Sequence, residues 1–211
     1  MIKTEIQEYI EKHTSPEDDV LYQLNRETYL KTIHPRMISG HVQGKFLEMI
    51  SCMTQPKQIL EIGTFTGYSA ICLAKGLRVD GCIHTIEKSP ELEKMAMTAF
   101  AEAGIENQVK YYSGNALDII PEIKEVFDLV FIDADKENYL NYYHLIIDKL
   151  KAGGFILADN ALWSGKVVEK TPATDKDTQG LKAFNDFVQQ DKRVENVLLP
   201  LRDGIMMVRK L

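Results

Sequence analysis

Short apolar runs alternate with longer amphipathic stretches along most of this chain. Five runs have the length and composition of buried strands: 58–62, 82–87, 108–112, 127–132 and 154–158. Helical spacing fills the intervals, near residues 68–78, 90–104, 115–124, 138–150 and 178–190. Such alternation predicts a parallel sheet with helices on both faces. Two last apolar runs, 194–200 and 204–208, are joined by so short a turn that we expect antiparallel neighbours.

The N-terminal part has a helical pattern without strands. Residues 1–13 alternate charged and apolar groups at helical spacing, and another helix is predicted from about Ser39 to Met53. Between them, Ser15 is predicted to cap a helix that has Pro16 in its first turn. We therefore predict one domain over residues 1–211, with a helical extension (1–55) followed by a Rossmann-like core (56–211).

Composition narrows the setting of the protein. No run approaches 18 uninterrupted apolar residues, and the first residues lack the apolar core of a signal peptide, so no membrane association is expected. The three cysteines lack zinc-ligand spacing, and a reducing cytoplasm is the simplest location. The net charge of −6 argues against general nucleic-acid coating but leaves room for recognition of one structured RNA. Lys31, Arg36 and Lys45 form a modest basic cluster, whose default interpretation is a solvated face.

Oxygen-bearing side chains follow two of the predicted strands directly. Asp133 comes after the run 127–132, and Asp159 and Asn160 come after the run 154–158. Ligands of open α/β sheets bind outside the carboxyl ends of the strands, so these side chains are expected to meet beside the amine of Lys136. Two carboxylates and an amide are hard ligands, which favour Mg²⁺, with Mn²⁺ or Ca²⁺ as alternatives.

A glycine turn follows the first predicted strand. Gly63 and Gly67 allow a tight turn and close approach of a ligand, and Glu87 ends the second strand, where an acidic side chain can bind ribose hydroxyls. The spacing is Gly-x-x-x-Gly, which differs from the fingerprint of a dinucleotide site. Glu61 would repel a phosphate but pair with an ammonium group. The turn therefore favours S-adenosylmethionine, which has an amino-acid end and no pyrophosphate.

These motifs resemble the metal-dependent catechol and caffeoyl-CoA type O-methyltransferases, including their small bacterial members. The matching stretches run in the family's order along almost the whole chain: 35–40, 60–69, 131–136, 159–165 and 203–204. The resemblance implies a class I methyltransferase fold, a doubly wound, mostly parallel seven-stranded sheet with one antiparallel strand near the C-terminus.

The resemblance also implies the roles of individual residues. It implies S-adenosylmethionine as methyl donor, a divalent metal at Asp133, Asp159 and Asn160, and Lys136 as the catalytic base. The cofactor ligands that it implies are Glu61, Gly63, Ser69, Glu87 and Asp133, with backbone contacts near Met37 and Ala116. Dimers are common in this family, so a homodimer is expected.

The expected activity is methylation of a hydroxyl on a catechol-like or caffeoyl-type small molecule. One alternative is methylation of 5-hydroxyuridine in tRNA, whose ring hydroxyl would replace the phenol. A second alternative, a dinucleotide-dependent oxidoreductase, is disfavoured by Glu61 and by the missing third glycine. The segment 163–178 is placed to cover a substrate, or else it is a mobile surface connection. Trp163 would either stack on an aromatic substrate or anchor this segment.

Overall fold

The computed structural model describes residues 4–211 of the chain. These residues form eight α-helices: α1 (Thr4–Lys12), α2 (Asp19–Lys31), α3 (Gly40–Thr54), α4 (Tyr68–Ala74), α5 (Glu93–Glu102), α6 (Ala116–Glu122), α7 (Tyr139–Ile147) and α8 (Lys176–Gln190). They also form seven strands: β1 (Gln58–Ile62), β2 (Cys82–Glu87), β3 (Val109–Ser113), β4 (Phe127–Ile132), β5 (Leu150–Ala158), β6 (Val194–Leu199) and β7 (Ile205–Lys210).

The strands form one seven-stranded sheet in the order β3-β2-β1-β4-β5-β7-β6. Strand β7 pairs antiparallel with both β5 and β6, while β1, β4 and β5 pair in parallel, as do β2 and β3. The apolar run of β4 is almost continuous because both faces of a parallel sheet are covered by helices. The predicted doubly wound sheet with a reversed strand near the C-terminus is confirmed.

Contacts divide the chain into two compact units. The first comprises the residues up to Lys57 together with Thr64–Gly114, and it contains β2, β3 and helices α1 to α5. Its helix α2 buries Leu21, Leu24 and Thr28. The Thr28 hydroxyl donates to the Leu24 carbonyl and to the Thr66 hydroxyl at 3.0 Å, and both threonines are fully buried.

The second unit comprises Gln58–Gly63 and Asn115–Leu211. Strands β1, β4, β5, β7 and β6 lie side by side in it, with α6, α7 and α8. Helix α8 packs on α7 through aromatic rings, and the edge of Tyr139 meets Phe184 with 5.7 Å between ring centroids. The assignment of residues 1–211 to a single domain stays a prediction.

Several sequence-based boundaries differ from the structure, and the start of α2, the start of β5 and the end of α4 are among the largest differences. Helix α2 begins at Asp19, and its cap is Asp18, whose carboxylate accepts from the Leu21 amide at 3.0 Å; Ser15 is not the cap. Strand β5 begins at Leu150, four residues before the predicted start. Helix α4 ends at Ala74 instead of residue 78. The predicted helix over residues 1–13 is present from Thr4 to Lys12, and residues 1–3 lie outside the described part.

Within residues 4–211, no helix is both long and apolar enough to cross a membrane.

Candidate active site

The first two predicted metal ligands lie at the ends of neighbouring strands. In the parallel pairing of β4 with β5, Ile132 is opposite Ala158, so Asp133 and Asp159 follow at adjacent positions. The Asp159 amide donates to the Ile132 carbonyl at 2.9 Å, which extends the ladder by one more bond. Neighbouring strands lie about 5 Å apart. The structure therefore brings both carboxylates to the same edge of the sheet, as the sequence predicted.

Asn160, the third predicted ligand, has a left-handed backbone conformation with φ of 58°. Asparagine tolerates this region better than most residues. The backbone N–H of Asn160 donates to the Asp159 carboxylate at 2.7 Å, which orients the Asp159 side chain. The turn between β6 and β7 then holds the segment, because the Ala161 amide donates to the Gly204 carbonyl at 2.9 Å. A Cβ on Gly204 would lie 2.5 Å from Leu162 Cγ, so only glycine fits there.

The donor types at this edge fit a hard divalent cation. Residues 4–211 contain no group of three or more His, Cys, Asp or Glu side chains that could hold a metal ion. A site at this edge would therefore need the amide of Asn160 beside the two carboxylates. The set of Asp133, Asp159 and Asn160 has two carboxylates and one amide, all with oxygen donors. Such ligands suit Mg²⁺, Mn²⁺ or Ca²⁺ and suit zinc or copper poorly.

Lys136 is buried beside one of these carboxylates. It lies in a 3₁₀ turn, Lys136–Asn138, and its side chain is only 9% exposed. The ammonium donates to Asp133 Oδ1 at 2.9 Å and to the Tyr139 hydroxyl at 2.8 Å. Burial opposes its charge, but Tyr139 and Asp133 outweigh burial, so the pKa of Lys136 is raised. Without a bound cation, Lys136 is therefore a charged group that is held in place by two partners.

Tyr139 is a site residue that the sequence reasoning missed. Its ring is fully buried, and its hydroxyl donates to the Ile132 carbonyl at 3.3 Å while it accepts from Lys136. Burial raises the pKa of Tyr139, so the hydroxyl stays protonated at neutral pH. The available signal was its position three residues after Lys136, about one helical turn away.

The second unit also contains four of the predicted cofactor ligands. Glu61 on β1 is fully buried, Gly63 follows that strand with φ of 98°, and Ala116 is the first residue of α6. A Cβ on Gly63 would lie 1.9 Å from the carbonyl oxygen of Asp133. Only glycine therefore allows the backbone after β1 to lie this close to the backbone of Asp133. Asp133 is itself the fourth predicted cofactor ligand in this unit.

The first unit contains the other three predicted cofactor ligands. Glu87 ends β2, and its two carboxylate oxygens accept from the Phe65 amide at 2.7 Å and from the Ser89 amide at 2.9 Å. Each carboxylate oxygen has a second lone pair, so Glu87 can still accept from a ribose. Ser69 is buried in α4, whereas Met37, the last residue of a 3₁₀ turn (Pro35–Met37), is 57% exposed.

The segment after Asn160 is fixed at several points. Trp163 and Ser164 both have left-handed conformations, and the Trp163 ring centroid lies 6.0 Å from the Lys136 amine. The indole N–H is buried without a hydrogen-bond partner in the part of the chain that the structure describes. Further on, Lys182 of α8 donates to the Glu169 carbonyl at 2.6 Å. The segment 163–178 is therefore tied to α8 at its middle.

The predicted basic cluster is largely neutralised. Lys31 pairs with Glu27 at 2.6 Å, and Lys45 pairs with Glu48 at 2.7 Å, each within its own helix. The Lys31–Glu27 pair is exposed and the Lys45–Glu48 pair is partly buried; surface pairs contribute little to stability, but both pairs cancel local positive charge. The default interpretation of these residues as a solvated face is consistent with these pairs.

The fold defines a class of protein. A doubly wound seven-stranded sheet with one reversed strand near the C-terminus is the arrangement of an S-adenosylmethionine-dependent methyltransferase. The sequence matches the O-methyltransferase family over residues 11–211, and the chain belongs to that family.

Individual relatives agree with this assignment. Caffeoyl-CoA O-methyltransferase 2 of Populus trichocarpa is 33% identical over 188 residues, which cover 83% of this chain and 75% of the relative. The O-methyltransferase TomG of Streptomyces achromogenes, solved with S-adenosylmethionine, superposes with a TM-score of 0.92 at 28% identity, covering 100% of this chain and 99% of TomG. An O-methyltransferase from Bacillus cereus, solved with S-adenosylhomocysteine, gives a TM-score of 0.89 at 30% identity and covers 98% of each chain.

Proposed function

We propose that this S-adenosylmethionine-dependent O-methyltransferase needs a divalent cation and methylates one hydroxyl of a vicinal dihydroxy aromatic compound, of catechol-like or caffeoyl type. The observation that carries the proposal is the adjacent position of Asp133 and Asp159 at the ends of β4 and β5, with Lys136 bound to Asp133. The caffeoyl-CoA O-methyltransferases among its relatives support this substrate class.

The chemical problem is to provide an oxygen nucleophile, because the methyl group of S-adenosylmethionine is already activated. A phenol has a pKa of about 10 and is mostly protonated at neutral pH. A divalent cation held by Asp133, Asp159 and Asn160 would supply positive charge that stabilises the phenolate form. With both carboxylates engaged as ligands, neither is left as a general base. Lys136, whose amine lies 2.9 Å from Asp133 Oδ1, is then the side chain that we propose to act on the proton or on the phenolate charge.

Two roles are open for Lys136. In both of them we propose that its side chain contacts the hydroxyl group that is to be methylated. As a base, its amine would take the phenol proton; as a cation, it would hold the phenolate while water takes the proton. The bond to the Tyr139 hydroxyl helps to hold the amine beside Asp133. Arginine at this position would retain the charge without the ability to accept a proton, which separates the two roles.

For the cofactor, we propose that Glu87 accepts from the ribose hydroxyls and that Glu61 faces the amino-acid end. Gly63, Ser69 and Asp133 would contribute further contacts, as would the backbone near Met37 and Ala116. Calorimetry should show binding of S-adenosylhomocysteine at micromolar strength and no binding of NAD or NADP. Tight NAD binding without any S-adenosylhomocysteine binding would contradict this assignment.

The substrate class is tested by a methyl-label assay that offers a catechol panel and undermodified tRNA side by side. We expect transfer to catechols in the presence of Mg²⁺ and loss of transfer after chelation, restored when the cation is added back. Full activity in enzyme that has been verified to be free of metal would contradict the proposed metal dependence. Label transferred to tRNA alone would replace the small-molecule substrate with 5-hydroxyuridine. Sedimentation of the same preparation tests the expected homodimer.

A further inference from the structure

Helix α8 contains no predicted metal or cofactor ligand, yet it contacts both segments of the candidate active site. The Asn185 side chain donates from Nδ2 to the Ala161 carbonyl at 2.8 Å, and Ala161 directly follows Asn160. One and a half turns earlier on α8, a Cβ on Gly180 would lie 2.5 Å from the Lys136 carbonyl oxygen. The helix thus lies against the backbone of the lysine turn and holds the backbone of the metal-ligand segment.

Asn185 occupies a position where the pattern of α8 favours an apolar side chain. Leu181, Phe184 and Val188 are buried on this helix, and residue 185 lies on the same face, four residues after Leu181. Asn185 Oδ1 is buried and has no hydrogen-bond partner among residues 4–211. A buried acceptor without a partner costs on the order of 1–3 kcal/mol. The bond from Nδ2 to Ala161 contributes about 0.5–1.5 kcal/mol and offsets that cost only in part, so stability of the folded chain gives little reason for an amide at this position.

The Asn185 bond acts on a backbone that has little other freedom. Asn160 is held in a left-handed conformation, and its own carbonyl accepts from the Trp163 amide at 3.0 Å. The Ala161 amide is already bound to Gly204 on one side. The Asn185 side chain binds the carbonyl of Ala161 and so fixes the peptide between Ala161 and Leu162, the next peptide after the one that joins Asn160 to Ala161.

We infer that Asn185 is a positioning residue, which holds Asn160 in the orientation that metal binding requires. The inference rests on the proposed metal site. Outer-shell partners of metal ligands typically change metal affinity by about 10- to 100-fold when they are removed. Asn185 acts one peptide further away, through Ala161, so we expect a loss near the lower end of that range.

The test compares two variants with a control on the same helix. Asn185→Leu removes the donor at similar volume, and Asn185→Asp keeps the shape but places an oxygen against the Ala161 carbonyl. The control is Gln189→Leu, because the exposed Gln189 amide accepts from Asn196 at 3.1 Å, away from residues 159–163. Three quantities are measured for each protein: Mn²⁺ affinity from the electron paramagnetic resonance of free Mn²⁺, S-adenosylhomocysteine affinity, and the melting temperature of metal-free protein.

We expect both Asn185 variants to bind Mn²⁺ about 10-fold more weakly, with unchanged S-adenosylhomocysteine affinity, while Gln189→Leu matches wild type. The metal-free melting temperature of Asn185→Leu should stay close to that of wild type, because removal of the unpaired Oδ1 offsets the loss of the bond to the Ala161 carbonyl. Unchanged Mn²⁺ affinity would overturn the inference, and so would a loss that parallels a lower melting temperature or weaker cofactor binding. If wild-type protein binds no Mn²⁺, the proposed metal site is contradicted, and the inference about Asn185 fails together with it.

Discussion

Replacement of Gly63 by alanine tests whether the backbone after β1 and the Asp133 backbone depend on each other. Gly63 has φ of 98°, and the added Cβ would lie 1.9 Å from the Asp133 carbonyl oxygen. Real Cβ contacts essentially never fall below 3.0 Å, so one backbone must move by at least about 1.1 Å. The left-handed conformation costs alanine about 1–2 kcal/mol, and overpacking typically adds about 1–3 kcal/mol.

A matched variant separates these two costs. Gly153 on β5 has φ of 80°, and a Cβ there would meet nothing within 4 Å among the described residues. Gly153→Ala should therefore lose only the conformational term, whereas Gly63→Ala should lose a further 1–3 kcal/mol or so through the clash. Urea unfolding of metal-free protein measures both values.

The clash should also reach the chemistry, because Asp133 is a predicted ligand of both metal and cofactor. A displacement near 1 Å at a reacting group can lower turnover by about 100-fold. We expect Gly63→Ala to weaken both Mn²⁺ and S-adenosylhomocysteine binding, while Gly153→Ala leaves both near wild type. Equal stability losses in the two variants, with normal ligand binding by Gly63→Ala, would refute the steric argument.

Three further predictions concern single side chains. Asp159→Ala and Asn160→Ala should abolish Mn²⁺ binding and methyl transfer, with S-adenosylhomocysteine affinity nearly intact by calorimetry; intact Mn²⁺ binding in both would contradict the ligand set. Lys136→Met should lower single-turnover rates by about 10² to 10⁴ at pH 7, with a smaller loss at higher pH as the acceptor ionises unaided; if Lys136→Arg retains much more rate than Lys136→Met, the role is that of a cation, and near-normal turnover in both would make Lys136 a bystander. The Arg193 guanidinium bonded to Asp191 lowers the pKa of that carboxyl, so its stabilisation is present above the ordinary value of about 3.9 and is lost as pH falls below it. Asp191→Asn should therefore be less stable than wild type at pH 7 by urea unfolding, with a gap that narrows below about pH 4; a gap independent of pH would rule out the ionic explanation.

The strands were predictable because their signal is local. The limits of β1, β2 and β4 match the predicted runs to the residue, and each strand is followed directly by a glycine or a charged residue: Gly63, Lys88 and Asp133. Strand β5 starts earlier than its apolar run because Leu150 pairs with Phe127 at the beginning of β4, across a register irregularity. That pairing depends on a distant strand, which the composition of residues 150–153 does not reveal.

The start of α2 shows the same limit. Ser15 and Asp18 are both good capping residue types, and the sequence alone favoured the serine because proline follows it. In the structure, Asp18 also pairs with Lys75 at 2.5 Å, a contact between residues 57 positions apart. The residue that caps α2 is thus the one that also has a partner far away in the sequence. A local sequence pattern does not contain that information.

The candidate site divides in the same way, between the predicted ligands and the residues packed against their backbone. The meeting of oxygen-bearing side chains after β4 and β5 could be predicted because parallel strands bring their carboxyl ends to one edge. Their supports on α8 could not, because they depend on which backbone each helix position meets: Gly180 meets Lys136, Phe184 meets the Tyr139 ring, and Asn185 meets Ala161.

These three contacts lie within six consecutive positions of a single helix. A helix of this length moves as one body, since its backbone hydrogen bonds fix each residue to the next turn. Because α8 contacts both the Lys136 turn and the segment after Asn160, a displacement of this helix would affect both of them. Substitutions at Gly180, Phe184 or Asn185 should accordingly alter metal affinity and turnover jointly, without removing any of the predicted metal or cofactor ligands.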